Sequence, residues 1–213
     1  MRNIDMNKVD IVDLTKALMN AVKDITDNIG LKFESRMMTS LINDREILYN
    51  DYNGFSCYTN LVRIEGTNKT RIISNIYVPF DNNVANSDQG KFMLNYVNEL
   101  YDLDLDKDSR SDYCIFAILH EIGHYLDYAL HCRKGFNKAS EYMIENNTAL
   151  DNLNKETDEE LAQYTDDKDK QQAIYNNWRS YRELEVEHNA DETASFFIKN
   201  YEDTLDLYLS KLA

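Results

Sequence analysis

Apolar side chains recur at helical spacing near the start of the chain. Within residues 8–28 most of them are three or four positions apart, which is the period of one face of an α-helix. Gly30 follows, and glycine commonly ends a helix. The pattern predicts an N-terminal helix over about residues 8–28, with its apolar face formed by Val9, Val12, Leu14, Leu18, Val22 and Ile25.

Between residues 45 and 80 the pattern changes to aromatic and β-branched residues. The runs FSCYTNLVRIEG and TRIISNIYVPF lie on either side of the turn GTNK, and this arrangement predicts a β-hairpin over about residues 55–80. The preceding EILYN is a candidate third strand. We therefore expect a small antiparallel sheet, in which TRIISNIYVPF is an edge strand able to align an extended peptide by β-augmentation.

Beyond Pro79, the only proline, the sequence has helical periodicity almost to its end. No repeat and no linker rich in Gly, Ser or Pro marks a domain boundary. Residues 1–213 are therefore predicted to form a single domain of the α+β class that is mostly helical. The predicted helices cover about residues 89–102, 110–132, 137–150, 157–165 and 168–200, and a final segment covers 201–212.

The charge and composition of the chain exclude some classes of partner. Lys and Arg number 23 against 38 Asp and Glu, a formal net charge of −15, and a field of that sign repels phosphate backbones, so no direct nucleic-acid partner is expected. The N-terminus has no apolar h-region, and no window approaches the roughly 18 apolar residues of a membrane span. The three cysteines lie far apart without CxxC spacing, as expected of reduced thiols. We therefore expect a cytoplasmic protein with no membrane partner.

The stretch HEIGHYLDYALH, residues 120–131, contains an HExxH motif. Positions i and i+4 of an α-helix share a face, so His120 and His124 can direct imidazole nitrogens at one ion, with Glu121 beside it. Zinc binds neutral imidazole, and a catalytic zinc site has three protein ligands and a water. Gly123 is unfavourable inside a helix, and its presence indicates a close approach by a neighbouring backbone.

The third ligand must come from elsewhere in the chain. A metzincin would have Gly and His where this chain has Asp127 and Leu130, so that class is excluded. His131 follows His124 by about two helical turns, which is too far for the two to share an ion. We expect His131 to lie at the surface or in the last turn of the helix.

A better candidate lies in the segment YRELEVEHNADETASFFIKNY, residues 181–201. Two acids fall in one apolar, inward-facing helical stripe, and a buried carboxylate is costly unless it is paired or bound to metal. We therefore predict that Glu187 is the third ligand and that Asp191 accepts the outer N–H of a zinc-bound histidine. His188 points to a different side and is expected at the surface. The stripe consists of Leu184, Glu187, Asp191, Ala194 and Ile198.

HEIGH followed by EHNAD, residues 187–191, resembles the gluzincin arrangement of thermolysin, and in its compact form it resembles the ImmA/IrrE-type metallopeptidases. The resemblance implies a zincin-like α+β fold in which the small antiparallel sheet packs on the HExxH helix, at about residues 110–132. An insertion over about 133–176 then leads to a glutamate helix at about 177–200. The resemblance also implies a specific cytosolic protein as substrate, such as a regulatory protein in a bacterial or phage setting.

The expected activity is that of a zinc-dependent metalloendopeptidase. One zinc ion per chain is held by His120, His124 and Glu187, and Glu121 acts as general base on the zinc-bound water. A further donor is needed for the oxyanion, but the chain has 15 tyrosines and the sequence does not single one out. The alternative is a non-catalytic protein-binding module on a zincin scaffold with a bound metal. Glu121 argues against that alternative, because a purely structural site needs four protein ligands and no base.

Overall fold

The computed structural model describes residues 4–44, 47–50, 54–63, 65–67, 70–79, 85 and 87–212. Within these residues a small sheet lies among helices, and most residues are helical, so the prediction of a mostly helical α+β protein is confirmed. The helices are α1 (Ile11–Asn28), α2 (Lys32–Asp44), α3 (Asp88–Tyr101), α4 (Arg110–Arg133), α5 (Phe136–Leu161), α6 (Asp167–Arg182) and α7 (Glu185–Leu209), and the strands are β1 (Ile47–Asn50), β2 (Ser56–Arg63) and β3 (Thr70–Pro79).

The predicted N-terminal helix is present as α1 and begins at a side-chain cap. Asp10 accepts a hydrogen bond of 2.7 Å from the backbone N–H of Val12, which satisfies one of the free donors of the first turn. The chain leaves α1 at Gly30, whose φ of +82° suits glycine. α2, a helix that was not predicted, then follows and packs against α1. Met38 and Leu41, both buried and three positions apart, are the apolar signal by which α2 could have been predicted.

The three strands form one mixed sheet in the order β1-β3-β2. β2 and β3 are antiparallel, with Ser56 opposite Tyr77 and Arg63 opposite Thr70, so the predicted hairpin is confirmed. Of the predicted turn between them, the structure describes only residues up to 67. β1 pairs with β3 in the parallel direction, so the prediction of an antiparallel sheet is wrong at this strand. TRIISNIYVPF is likewise not an edge strand, because β3 is central and β2 lies at an edge.

The order of the strands is not encoded in the strands themselves. Along β3, Ile72, Ser74, Ile76 and Val78 are buried, which is the alternation of a strand with one face on the core. That alternation predicts the buried face but not the neighbouring strands. A parallel pair also needs a crossover, and here β2 lies within the connection from β1 to β3.

Two of the helices beyond the sheet match their predictions closely. α3 and α4 begin and end within one residue of the predicted 89–102 and 110–132. Each is preceded by a serine, Ser87 or Ser109, whose side chain accepts a backbone N–H of the first turn. Such caps are strong local signals, which explains the agreement.

The helices of the last third are divided differently from the prediction. Those predicted over 137–150 and 157–165 are one continuous helix, α5. The predicted run over 168–200 is two helices, α6 and α7, separated by a break at Leu184, which is extended with φ −59° and ψ 137°. The final predicted segment, 201–212, lies mostly in α7 beyond a kink at Tyr201, whose φ of −137° and ψ of 29° are not helical, so the predicted boundary after residue 200 coincides with that kink. The glutamate helix is therefore α7 and begins later than expected.

Helix α4 runs through the centre of the core. It is buried on nearly every side between Tyr113 and Leu126, as expected of a helix that lies between other elements. It packs against α1, α7 and the sheet, and one apolar cluster includes residues from Met6 to Leu209. No helix in the described part of the chain combines the length and apolar character needed to cross a membrane.

Candidate metal centre

Helices α4 and α7 approach each other closely at Gly123. A Cβ atom at Gly123 would lie 2.9 Å from both the Cα and the carbonyl oxygen of Ala190, so a side chain there would force the helices apart. The close approach predicted from this glycine is confirmed, and the neighbour is the backbone of α7. His120 and His124 lie on the turns around Gly123, and Glu187 lies about one turn before Ala190, so the contact brings these three side chains together.

His120, His124 and Glu187 meet in this buried region. Glu187 Oε2 is 3.2 Å from His120 Nε2, and Glu187 Oε1 is 3.5 Å from His124 Nε2. One ligand atom from each of the three residues lies within 4.8 Å of the other two. Two donors about 2.1 Å from a tetrahedral zinc ion lie about 3.4 Å apart, so these separations fit. The predicted ligands are thus brought together, each with an exposed fraction of 9% or less.

The protonation states of His124 and Glu187 suit metal ligands. Burial and the neighbouring His120 lower the pKa of His124 to about 3, so its imidazole is neutral at pH 7. Burial alone would raise the pKa of Glu187, but its contacts with His120 and His124 and the charge of Arg182 lower that pKa to about 2. Neutral imidazole and ionised carboxylate are the forms that bind zinc. The donor set therefore fits that ion.

Asp191 contacts the ring nitrogen of His120 that does not face Glu187. Its Oδ1 is 3.0 Å from His120 Nδ1, and the side chain of Asp191 is fully buried. With the proton of the neutral ring on Nδ1, Asp191 accepts it and the Nε2 lone pair is directed towards the other ligand atoms. Arg182 Nη2 also lies 3.2 Å from this Nδ1. The contact predicted between Asp191 and the outer nitrogen of a histidine is therefore present.

Glu121 lies next to His120 and lines the cleft that leads to the site. Burial raises the pKa of its carboxyl to about 7, because His120, Arg182 and a hydrogen bond from the Cys57 backbone N–H offset only part of that effect. A carboxyl with a pKa near the ambient pH can both accept and donate a proton. Glu121 can therefore exchange protons directly beside the three ligand atoms.

Two further residues of the site, Tyr181 and Arg182, were not predicted. Both end α6, within the range 177–200 that was predicted as part of the glutamate helix. The Tyr181 hydroxyl donates to Glu187 Oε1 at 2.8 Å, and burial raises the pKa of Tyr181 well above its usual value, so the hydroxyl stays protonated. The Arg182 guanidinium donates to both oxygens of Asp191 and, at 3.4 Å, to Glu187 Oε2.

The sequence contains only part of the signal for this pair. Two carboxylates in a buried stripe require a positive partner, so a cation beside Glu187 and Asp191 could have been predicted. Which residue supplies that cation could not be predicted, because the chain has 23 Lys and Arg residues. The contact of Arg182 with the two carboxylates also depends on the break between α6 and α7.

The other two histidines lie outside the site, as predicted. His131 is half-buried in the last turn of α4, where its Nδ1 is 3.1 Å from the carbonyl oxygen of Asp127 and its ring stacks 3.7 Å from that of Tyr142. His188 is exposed, and its Nδ1 lies 3.3 Å from the Tyr101 hydroxyl.

The site opens into a cleft of about 260 Å³. Its polar lining consists of Gln89, His120, Glu121, Tyr181, Arg182 and Glu187. The rest of the lining is mostly apolar: Gly54, Phe55, Phe92, Met93, Tyr113, Ala117 and Trp178. Comparison of the chain with protein-family models, with curated proteins and with solved structures gave no match. The site must therefore be interpreted from its own geometry and chemistry.

Proposed function

We propose that this protein is a zinc-dependent metalloendopeptidase that hydrolyses peptide bonds of a specific protein. The observation that carries the proposal is the convergence of His120, His124 and Glu187 beside Glu121 in one cleft. Two imidazoles and one carboxylate leave one position of a tetrahedral zinc ion open, which is typical of catalytic rather than structural zinc sites. One zinc ion per chain is expected.

Glu121, Asp191 and Tyr181 support this reaction around the three proposed ligands. Zinc bound here would lower the pKa of the attacking water and polarise the scissile carbonyl. Glu121, with its pKa of about 7, accepts a proton from that water and passes it to the leaving amine. Asp191 holds the His120 ring in its orientation. Tyr181 also lines the cleft; its hydroxyl donates to Glu187 Oε1 here and would have to turn from that carboxylate to donate to the oxyanion.

An edge strand beside the site favours an extended peptide as substrate. Cys57 of β2 donates its backbone N–H to Glu121, and β2 lies at an edge of the sheet. A peptide can add to such an edge through main-chain hydrogen bonds, which would place it along the cleft. β2 is therefore the proposed peptide-binding edge strand, in place of TRIISNIYVPF, which forms the central strand β3.

The charge and the thiols of the chain favour a cytoplasmic protein as the target. A net charge of −15 disfavours nucleic acid, and Cys57, Cys114 and Cys132 are free thiols, as expected in a reducing compartment. We therefore propose a cytoplasmic protein as the target. That it is a regulatory protein is what the resemblance to ImmA/IrrE-type metallopeptidases implies.

The test combines metal analysis with a change at the base. Protein prepared with excess zinc and then dialysed should contain about one zinc per chain, and it should cleave members of a protein-derived peptide library. Glu121→Gln should keep the zinc and the fold but abolish cleavage, because it removes the base and no ligand. Absence of zinc, or cleavage that survives Glu121→Gln, would overturn the proposal. Zinc binding without any cleavage would favour the alternative, a binding module on the same scaffold.

A further inference from the structure

An aromatic wall lies beside the metal centre in the same cleft. Phe92 of α3 and Trp178 of α6 both line the cleft, with ring centroids 5.6 Å apart. The ring of Tyr175 lies 5.9 Å from that of Phe92 and 5.0 Å from that of Trp178. Phe92 and Trp178 are half-buried, so each keeps apolar surface facing the cleft. Phe55 and Met93 extend the same lining.

The size and polarity of the cleft limit what this wall can bind. Its volume of about 260 Å³ is below the roughly 300–1,000 Å³ of pockets that enclose a whole small ligand, so it suits a single side chain. The ring faces of Phe92 and Trp178 offer no hydrogen-bonding group to a neutral polar side chain. Covering them with apolar surface removes water from both partners, and aromatic rings gain further from edge-to-face or offset contact.

We propose that Phe92 and Trp178 form a subsite for one large apolar side chain, aromatic or long aliphatic, of the peptide held at His120, His124 and Glu187. The inference rests on the proposed function and narrows its substrate to peptides with such a residue next to the cleaved bond. A polar side chain of similar length binds poorly, because its hydrogen-bonding groups lose water against the rings without gaining partners.

Amino-acid hydroxamates are suitable probes, because each joins a zinc-chelating group to one side chain. Trp178 is the only tryptophan of the chain, so its emission reports on this wall. In the zinc-loaded full chain, phenylalanine hydroxamate should bind about 10- to 100-fold more tightly than alanine hydroxamate and should change the Trp178 emission. Leucine hydroxamate should bind with an affinity close to that of phenylalanine hydroxamate, and glutamine hydroxamate with an affinity close to that of alanine hydroxamate. Equal affinities across the four probes would overturn the subsite.

Substitutions in the wall separate side-chain binding from chelation. Phe92→Ala and Trp178→Ala should each remove most of the preference for phenylalanine over alanine hydroxamate, as measured by calorimetry, while zinc content remains one per chain. Phe196→Ala is the matched control, because Phe196 is an aromatic residue of α7 with an exposed fraction of 42% that does not line the cleft. It should keep the full preference. If Phe92→Ala and Trp178→Ala also kept the preference for phenylalanine hydroxamate, the proposed subsite would be overturned.

Zinc content is measured first, so that the two proposals can fail separately. A zinc-loaded chain without side-chain preference leaves the proposed function intact and overturns the subsite. A chain that binds no zinc overturns the proposed function, and the wall is then tested on metal-free protein with N-acetylphenylalaninamide and N-acetylalaninamide. A change in Trp178 emission with the first compound alone supports the apolar subsite, and the same response to both overturns it.

Discussion

Arg182 and Asp191 form a buried ion pair in which the guanidinium donates to both carboxylate oxygens. Asp191 is fully buried and Arg182 has an exposed fraction of only 7%, so both charges are shielded from water. The same Asp191 lies 3.0 Å from His120 Nδ1, and Arg182 lies 3.4 Å from Glu187. The positively charged Arg182 of α6 thus contacts the side chains of α4 and α7 that form the candidate metal centre.

Arg182→Met should therefore destabilise the metal-free protein. The change keeps most of the side-chain length but leaves Asp191 and Glu187 without their cation, and breaking a buried pair costs about 3–5 kcal/mol. Saturating zinc should recover part of this loss, because it supplies positive charge at the same place. Urea denaturation in EDTA and in zinc measures both effects. Arg179→Met, at an exposed position of the same helix, is the control, and equal stability of the two metal-free variants would contradict the prediction.

Gly123→Ala should weaken both the fold and the metal centre. The new methyl group would lie 2.9 Å from backbone atoms of Ala190, and overpacking costs about 1–3 kcal/mol, more than the roughly 1 kcal/mol that Ala gains over Gly in a helix. Moving α7 away also separates Glu187 from the histidines, so zinc affinity should fall. Urea denaturation and chelator competition measure the two effects.

A second substitution tests the cause of that loss. Adding Ala190→Gly to Gly123→Ala should not restore stability, because the obstruction comes from the Cα and the carbonyl oxygen of Ala190 and not from its side chain. A Gly123→Ala variant that is more stable than the parent would show that α4 and α7 can separate freely.

The parts of the site that could be predicted are those encoded within single helices. His120 and His124 lie about one turn apart on α4, and Glu187 and Asp191 do so on α7, so helical periodicity is enough to place each pair on a common face. Gly123 adds the information that another backbone passes close to the first pair. Together these local signals predict which side chains meet.

The parts that could not be predicted depend on contacts between elements. Tyr181 and Arg182 enter the site because the chain breaks between α6 and α7, and residues 183–184 include neither Pro nor Gly to mark that break. The parallel pairing of β1 with β3 has a similar origin, because alternation along a strand shows its buried face but not its neighbours. Both features arise from packing that a single segment does not encode.

Asp127→Asn should stabilise the protein at neutral pH. Burial raises the pKa of Asp127 above its usual 3.8, although Tyr142 and Asn189 donate to it and His131 lies nearby, and Glu185 adds a further negative charge. Since the folded protein binds this proton more tightly than the unfolded chain, Asp127 makes stability fall as pH rises above about 4. The amide removes the charge and keeps an acceptor for Tyr142.

The measurement is urea denaturation of both proteins between pH 3.5 and pH 8. The advantage of Asp127→Asn should be present at pH 7 and should vanish once the carboxyl is protonated in both states, below about pH 4. Asp203→Asn, at an exposed position of α7, is the control. A constant difference between parent and Asp127→Asn across the range would mean that the charge of Asp127 is not its cause.

The last prediction concerns Glu187, on which the assignment of the metal centre depends most directly. Glu187→Gln preserves shape and an acceptor for Tyr181 but removes the charged ligand, so zinc affinity should fall by more than the roughly 10- to 100-fold typical when a ligand loses its hydrogen-bond partner. Asp191→Ala should cause a loss within that range, because His120 loses its orientation but can still coordinate. Both are measured by zinc titration against a competing chelator.

The neighbouring acids of the same region supply the controls for Glu187. Glu183, Glu185 and Glu192 are exposed, so their glutamine variants change the charge by the same amount without touching the site. If zinc affinity responded only to net charge, all four glutamine variants would lose it alike. We expect the loss at Glu187 alone, since only its carboxylate lies within 3.5 Å of both histidine Nε2 atoms. Unchanged affinity at Glu187, or a loss at one of the exposed acids instead, would mean that α7 presents a different face to α4 and that the proposed zinc ligands are wrong.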